Sequence, residues 1–146
     1  MRVVVVAESK SGEKRVALLP DIISKLTRAG LVVVVESGAG LNAGANDKDF
    51  SSAGAEVFPS SNQSKELSGA DVVLSVQPLT AQQASSLKSG AITISFLSAS
   101  SAGDSIAALA KAGATSFSLE AVPRISRAQS MDALTSQALC AGYRAA

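Results

Sequence analysis

The sequence contains no histidine and no tryptophan, and only one cysteine. Without imidazole, neither a His-based acid–base pair nor a His-rich metal site can be built from it. The lone Cys140 excludes an internal disulfide framework. It reads as a small apolar residue packed in the last helix rather than as a nucleophile. Aromatics make up 3% of the residues and the formal net charge is +1. No basic patch interleaves with aromatics, which argues against nucleic acid as a partner. No apolar run reaches membrane-spanning length. Arg2-Val3-Val4-Val5-Val6 is too short for a signal-peptide core and reads as a first strand.

Apolar residues, chiefly Val, Ala, Leu and Ile, form 47% of the 146 residues. That length supports one domain with a real core. A Val-rich parallel sheet covered by Ala-rich helices fits the composition. Strands are expected over residues 2–7, 31–36, 55–58, 71–76, 91–97 and 115–120. Helices are expected over 22–29, opened by Pro20-Asp21, and over 47–53, 80–88 with Thr80 as cap, and 101–112. The polar residues 60–68 read as a frayed helix or a loop. Strand–helix alternation with short connections predicts an α/β fold. Its core is a three-layer, mostly parallel open sheet with helices on both faces, Rossmann-like or flavodoxin-like. Such sheets bind ligands beyond the carboxyl ends of their strands. The loops after the first, second, fourth, fifth and sixth strands should therefore line one edge.

The Gly38-x-Gly40-x3-Gly44 loop tempts a dinucleotide reading. Its spacing departs by one residue from G-x-G-x-x-G, it does not follow the first strand, and Asn42 to Asn46 is turn-like. The structural reading, glycines at positive φ in a tight chain reversal, is preferred.

The most informative stretch is 123–137. Met131, Leu134, Ala138 and Ala141 recur at spacings of three and four and are expected to share one buried helical face. Gln129, Asp132 and Thr135 step by three along another face. Arg124 and Arg127 stand in the lead-in loop. Two guanidiniums, an amide, a carboxylate and a hydroxyl near a helix start can read a carboxamide, a pyrophosphate or a ribose. The purely structural alternative makes Ser126 or Ser130 an N-cap, with Asp132 settling the first turn.

The string Arg124-Ile125-Ser126-Arg127-Ala128-Gln129-Ser130 carries a resemblance. So do Gly12-Glu13-Lys14-Arg15-Val16-Ala17, Glu36-Ser37-Gly38-Ala39-Gly40 and Ala141-Gly142-Tyr143-Arg144-Ala145. Together they resemble the N-terminal lobe of the NAD-binding alpha subunit (domain I) of proton-translocating NAD(P) transhydrogenases, over residues 1–146. More broadly they resemble the alanine dehydrogenase/transhydrogenase N-terminal domain family. Alanine dehydrogenases are less similar in 124–130.

The resemblance implies one lobe of a two-lobed subunit, ending inside the helix that would lead to a missing NAD-binding Rossmann lobe. It implies that NAD(H) sits in the cleft between lobes. Hydride then passes directly to NADP(H) on a partner component, coupled to proton translocation through a membrane component. The complete subunit would be a homodimer on the cytoplasmic side, peripheral to the membrane through its partners. The isolated lobe would be inactive. No catalytic side chain and no metal is implied. Carried over by position, Arg124 approaches the nucleotide's polar groups. Asp132 and Thr135 anchor the carboxamide, although the family usually has Ser at Thr135. Gln129 sits where the NADP-bearing partner docks, and the role of Arg127 stays open. Two rivals remain. One is the N-terminal lobe of an alanine dehydrogenase-like NAD enzyme, which needs a carboxylate-binding Arg, an orienting Lys and a His. Arg15 fits the first role, Gln77 stands where the Lys would be, and Ser95-Phe96-Leu97-Ser98 offers no His. The other is a stand-alone interaction module without enzymatic activity. Arg15 is expected to pair with Glu8 or Glu13.

Overall fold

The computed structural model describes residues 1–145. Six strands form one sheet: β1 (Arg2–Val5), β2 (Val32–Glu36), β3 (Glu56–Phe58), β4 (Val72–Leu74), β5 (Ile92–Ser95) and β6 (Thr115–Ser118). Their spatial order is β3-β2-β1-β4-β5-β6 and every neighbouring pair is parallel. This is the strand order of dinucleotide-binding folds, with its switch point between β1 and β4. The sheet is thus wholly parallel rather than mostly so.

Parallel strands need long crossovers, and helices supply them. They are α1 (Pro20–Arg28), α2 (Asp47–Ser52), α3 (Gln63–Gly69), α4 (Ala81–Ser85) and α5 (Gly103–Lys111), followed by α6 (Ala133–Ala145). Residues 60–68 are ordered: a 3-10 turn at Ser60–Asn62 runs into α3, whose Leu67 is fully buried. A single apolar residue on a polar helix is too weak a periodic signal to settle that segment. Thr80 caps α4 as expected; its hydroxyl accepts from Gln83 N at 3.2 Å and Gln83 Oε1 accepts from Thr80 N at 2.9 Å.

Alternation along the valine strands divides the core. Val4, Val6, Val34 and Val73 face α3, α4 and α5 through Leu67, Ala84 and Leu109. Val5, Val33 and Val35 face α1 and α2 through Ile23 and Phe50. The second face is covered only near β1–β3. On β5 the pattern is inverted: Thr93 and Ser95 are buried, while Ile92 and Ile94 are partly exposed. Thr93 satisfies its hydroxyl by donating to Ser116 Oγ at 2.8 Å. Phe117, on the outermost strand, is 56% exposed. Because Phe117 packs against little, Phe117→Ser should change the melting temperature of this chain scarcely at all, within the roughly 0.5 kcal/mol typical of surface changes. A thermal melt checks it; a drop of several degrees would mean that the ring is held by contacts in the folded chain.

α6 departs from its expected packing. Met131 and Leu134 are 62% and 56% exposed, Ala138 and Ala141 are exposed, and no residue of the helix is buried. Cys140 is likewise exposed rather than packed. The periodic apolar face is present, but it stays exposed: the helix touches the turn at Leu119–Ala121, and that contact buries none of its residues. No helix among the described residues is long and apolar enough to cross a membrane.

Candidate functional site

The strand-end loops do gather at one edge. Two adjoining concavities of about 480 and 410 Å³ lie there and share Arg15, Phe96 and Gln137. They are walled by the loop after β1, the ends of β4 and β5, and residues beyond β6. In this topology a ligand phosphate is ordinarily held by free backbone N–H groups at such an edge. Here the chain's own carboxylates have taken them. Glu36 Oε2 accepts from Ala7 N at 2.9 Å after β1. Asp47 accepts from Gly38 N at 2.8 Å and Ser37 Oγ at 2.6 Å after β2. Glu8 accepts from Val76 N at 2.6 Å and Gln77 N at 3.0 Å after β4. Glu120 accepts from Ser98 N at 2.6 Å and Leu97 N at 3.0 Å after β5. Ser98 sits at φ +48°, sparsely populated for a residue with a Cβ, and the Glu120 bond holds it there. Burial pushes the Glu8 carboxyl up, while the two N–H groups oppose the rise.

The glycine loop has the structural role. Gly38 and Gly44 adopt φ of +80° and +83°, which residues with a Cβ avoid. Gly40 differs from the expectation, with φ of −93°. It is needed for closeness: a Cβ there would lie 2.5 Å from Phe50 Cε2 and 2.7 Å from the Ala45 carbonyl oxygen.

Arg15 pairs with Glu13 and not with Glu8. Its Nε and Nη2 each donate to one oxygen of Glu13, both at 2.7 Å, and the guanidinium lies 5.6 Å from the Phe96 ring centroid. Gln77 Nε2 donates to Glu13 Oε2 at 2.7 Å, and Lys10 Nζ reaches Gln77 Oε1 at 3.4 Å. The Glu13 side chain is 7% exposed. The Arg15 bonds, helped by Gln77, hold its carboxyl at about 2 against a usual 4.5. A depressed pKa stabilises the fold above the unfolded value and loses that contribution as pH falls. Stability should therefore decline between about pH 4.5 and about pH 2, and Glu13→Gln should flatten that stretch of the profile. Denaturant melts at stepped pH check this; an unchanged profile in Glu13→Gln would place the acid sensitivity elsewhere.

The four residues singled out at 123–137 come together. Arg124, Gln129, Asp132 and Thr135 line one open concavity of about 360 Å³ with Ile125 and Ser126. Neither Ser126 nor Ser130 caps α6; Asp132 does. Its Oδ1 accepts from Leu134 N at 2.9 Å and Thr135 N at 3.4 Å, and Oδ2 accepts from Thr135 Oγ1 at 2.5 Å. The helix begins at Ala133, one residue after the aspartate, so the serines lie too far upstream to reach its free N–H groups. Asp132 is buried and its carboxyl lies below the usual range, first because of the Thr135 hydroxyl and then the two N–H groups. Arg124 Nε stands 3.9 Å from Oδ2 with its side chain 69% exposed. Arg127 is exposed and does not line the concavity. Cap and ligand site are compatible, since each carboxylate oxygen can accept more than one bond.

The strand-end carboxylates Glu8, Glu36 and Glu120 accept from backbone N–H groups at this edge, a placement that the sequence analysis did not anticipate. The available signal was an acidic residue at or just beyond the carboxyl end of three strands. Among the described residues no cluster of metal-ligating side chains occurs.

These features define the class: doubly wound α/β lobes with dinucleotide-fold strand order but with their strand-end donors already satisfied. Within that class the chain belongs to the alanine dehydrogenase/PNT N-terminal domain family, whose model matches residues 4–141. It is 42% identical over 134 residues to the NAD(P) transhydrogenase subunit alpha of Cereibacter sphaeroides, across 92% of this chain and 25% of that protein. A crystal structure of transhydrogenase from Sinorhizobium meliloti superposes with a TM-score of 0.89 at 41% identity, covering 98% of this chain and 42% of that one. An alanine dehydrogenase of Mycobacterium tuberculosis is 34% identical over 122 residues, covering 84% of this chain and 32% of that protein. The chain thus spans less than half the length of each.

Proposed function

We propose that this chain is the first lobe of an NAD(H)-binding transhydrogenase component, and that it positions nicotinamide for direct hydride transfer to NADP(H) on a partner. The observation that carries the reading is the convergence of Arg124, Gln129, Asp132 and Thr135 on one concavity. The higher identity to the transhydrogenase relative than to the alanine dehydrogenase supports it. Direct hydride transfer asks no side chain to move a proton; it asks for two rings held at fixed distance and angle. Nicotinamide supplies the hydride chemistry when bound. The side chains here only orient it: Asp132 and Thr135 toward the carboxamide, and Arg124 toward the more polar parts of the nucleotide. Gln129 faces the NADP-bearing component.

The rest of such a subunit would contribute the nucleotide-binding Rossmann lobe, and a membrane component would couple the reaction to proton movement. Met131, Leu134, Leu139 and Tyr143 on and beside α6, with Phe117 on β6, offer apolar surface for those partners to cover. The subunit would work as a homodimer at the cytoplasmic side of the membrane. With its strand-end N–H groups capped internally, this chain by itself should bind NADH only weakly and be inactive. Titration with NADH, followed by nucleotide fluorescence, tests this. Tight saturable binding by residues 1–146 would mean that the strand-end crevice holds the dinucleotide after all.

The alanine dehydrogenase-like alternative is disfavoured by Gln77 and by the absence of histidine. Glu13 takes the side-on edge of Arg15.

A further inference from the structure

Beyond β6 the chain leaves the sheet and little ties it back. Among the described residues, no hydrogen bond of residues 121–145 reaches further back along the chain than Leu119. The bonds they make are local steps: Val122 N donates to Leu119 O at 3.3 Å, Ala128 N to Ile125 O at 2.9 Å, and Asp132 N to Ala128 O at 2.8 Å. Ala128 is the one buried apolar residue of that stretch among the described residues. α6 rests against the turn at Leu119–Ala121. The segment is thus braced within itself, and its direction is set by the turn before it. Glu120 stands in that turn, and its carboxylate reaches back to the sheet edge. Oε1 accepts from Ser98 N at 2.6 Å and Oε2 from Leu97 N at 3.0 Å. The other side of this clamp is firm. The Ser98 carbonyl oxygen accepts from Ser101 N at 2.8 Å and Ala102 N at 3.1 Å, and α5 begins at the next residue, Gly103. Ser98 stands at φ +48°, a conformation that a residue with a Cβ leaves unless held. Ser98 and Glu120 line one crevice with Ala133 and Leu134, the first residues of α6.

We propose that Glu120 is a positioning residue: by pinning the loop after β5 to the turn after β6, it sets the direction of the segment that carries Arg124, Gln129, Asp132 and Thr135. The kinetic consequence rests on the nicotinamide reading of that segment; the clamp itself does not. Two carboxylate oxygens on two adjacent N–H groups fix the turn in position and in rotation, as a single bond does not. Glu120 is exposed, so the clamp adds little to global stability. Its effect is on orientation, and a displacement of about 1 Å in a group that aligns the reactants can slow a reaction about a hundredfold. Glu120→Gln keeps the volume but breaks the pairing, because its amide offers one acceptor and turns a donor toward the second N–H.

The test begins with residues 1–146 labelled with ¹⁵N and weakly aligned in solution. Residual dipolar couplings of the α6 N–H vectors, compared with those of the sheet, report relative orientation, which a change of local charge does not move. In the unmodified chain both sets should fit one frame. In Glu120→Gln the α6 set should leave that frame while the sheet set keeps it, and the chain should melt close to the unmodified one. The complete subunit with its NADP-binding partner gives the functional arm. Single-turnover transfer at saturating NADH should fall about tenfold in Glu120→Gln, with the NADH dissociation constant changed by less than about twofold. A merely structural residue would move the melt instead. Two results overturn the proposal: α6 couplings already averaged in the unmodified chain, or a folded Glu120→Gln in which they still fit the original frame. Normal transfer in Glu120→Gln overturns the positioning role where Asp132→Ala is slowed. Where Asp132→Ala is also normal, the nicotinamide reading of the concavity fails, and the couplings alone decide on the clamp.

Discussion

In the complete subunit, Asp132→Ala should slow hydride transfer by about ten- to a hundred-fold, the loss expected when a charged acceptor no longer orients the reacting ring. Asp132 is placed to do this by the helix it caps. Its two oxygens are fixed by Leu134 N and Thr135 Oγ1, so the carboxylate faces the concavity in one orientation. The same bonds mean that Ala also frays the start of α6. Asn separates the two effects, because it caps helices about as well as Asp but carries no charge. Asp132→Asn should melt near the unmodified subunit and still transfer hydride more slowly. Single-turnover transfer beside a melting curve for each variant checks this. If Asp132→Ala transfers at the normal rate while melting earlier, the carboxylate is a helix cap and nothing more.

The second large effect is on stability. Gly40→Ala places a methyl 2.5 Å from Phe50 Cε2 and 2.7 Å from the Ala45 carbonyl oxygen. Phe50 is fully buried in the core against α1 and β2, so its ring has little room to withdraw. The carbonyl belongs to backbone, and Ala45 N donates to Gly40 O at 3.0 Å, which ties the two segments together. Overpacking of this kind costs about 1–3 kcal/mol. At the size of this chain that lowers Tm by several degrees. NADH binding to the complete subunit, measured below the melting range, should be unchanged. A nucleotide-binding role for the loop would produce the reverse: weaker binding with little change in melting.

Much of the fold is legible because parallel strands buried on both faces must be written as apolar runs. Val3 to Val6 and Val33 to Val35, all buried, could hardly be anything else. Helix stops are equally plain, since Gly30, Gly90 and Gly113 each stand in the left-handed region after a helix or turn. The packing of α6 is not legible. A helical apolar stripe declares that a face wants cover, not that the cover belongs to the described residues. Met131 and Leu134 show the difference. Which residue caps α6 is not legible, because Ser126, Ser130 and Asp132 can all cap and sequence spacing does not fix the helix start. The strand-end carboxylates escape for a related reason. Glu8 meets Val76 and Gln77 across 68 and 69 residues, a contact that only the β1–β4 switch point creates. Glu13 with Arg15 is local and legible as one of two choices; Glu8 drops out once it is committed to β4.

Hydride exchange between two nicotinamide nucleotides, and not the oxidation of an amino acid, is the role proposed for the complete protein that contains this lobe. One preparation of the complete subunit with its NADP-binding partner decides between them. Transfer from NADH to an NADP⁺ analogue is followed in a single turnover, and NADH production from NAD⁺ and L-alanine is followed in the same sample. Rapid nucleotide-to-nucleotide transfer with no alanine-dependent NADH is the expected result. Alanine-dependent NADH production without transfer between nucleotides would contradict it.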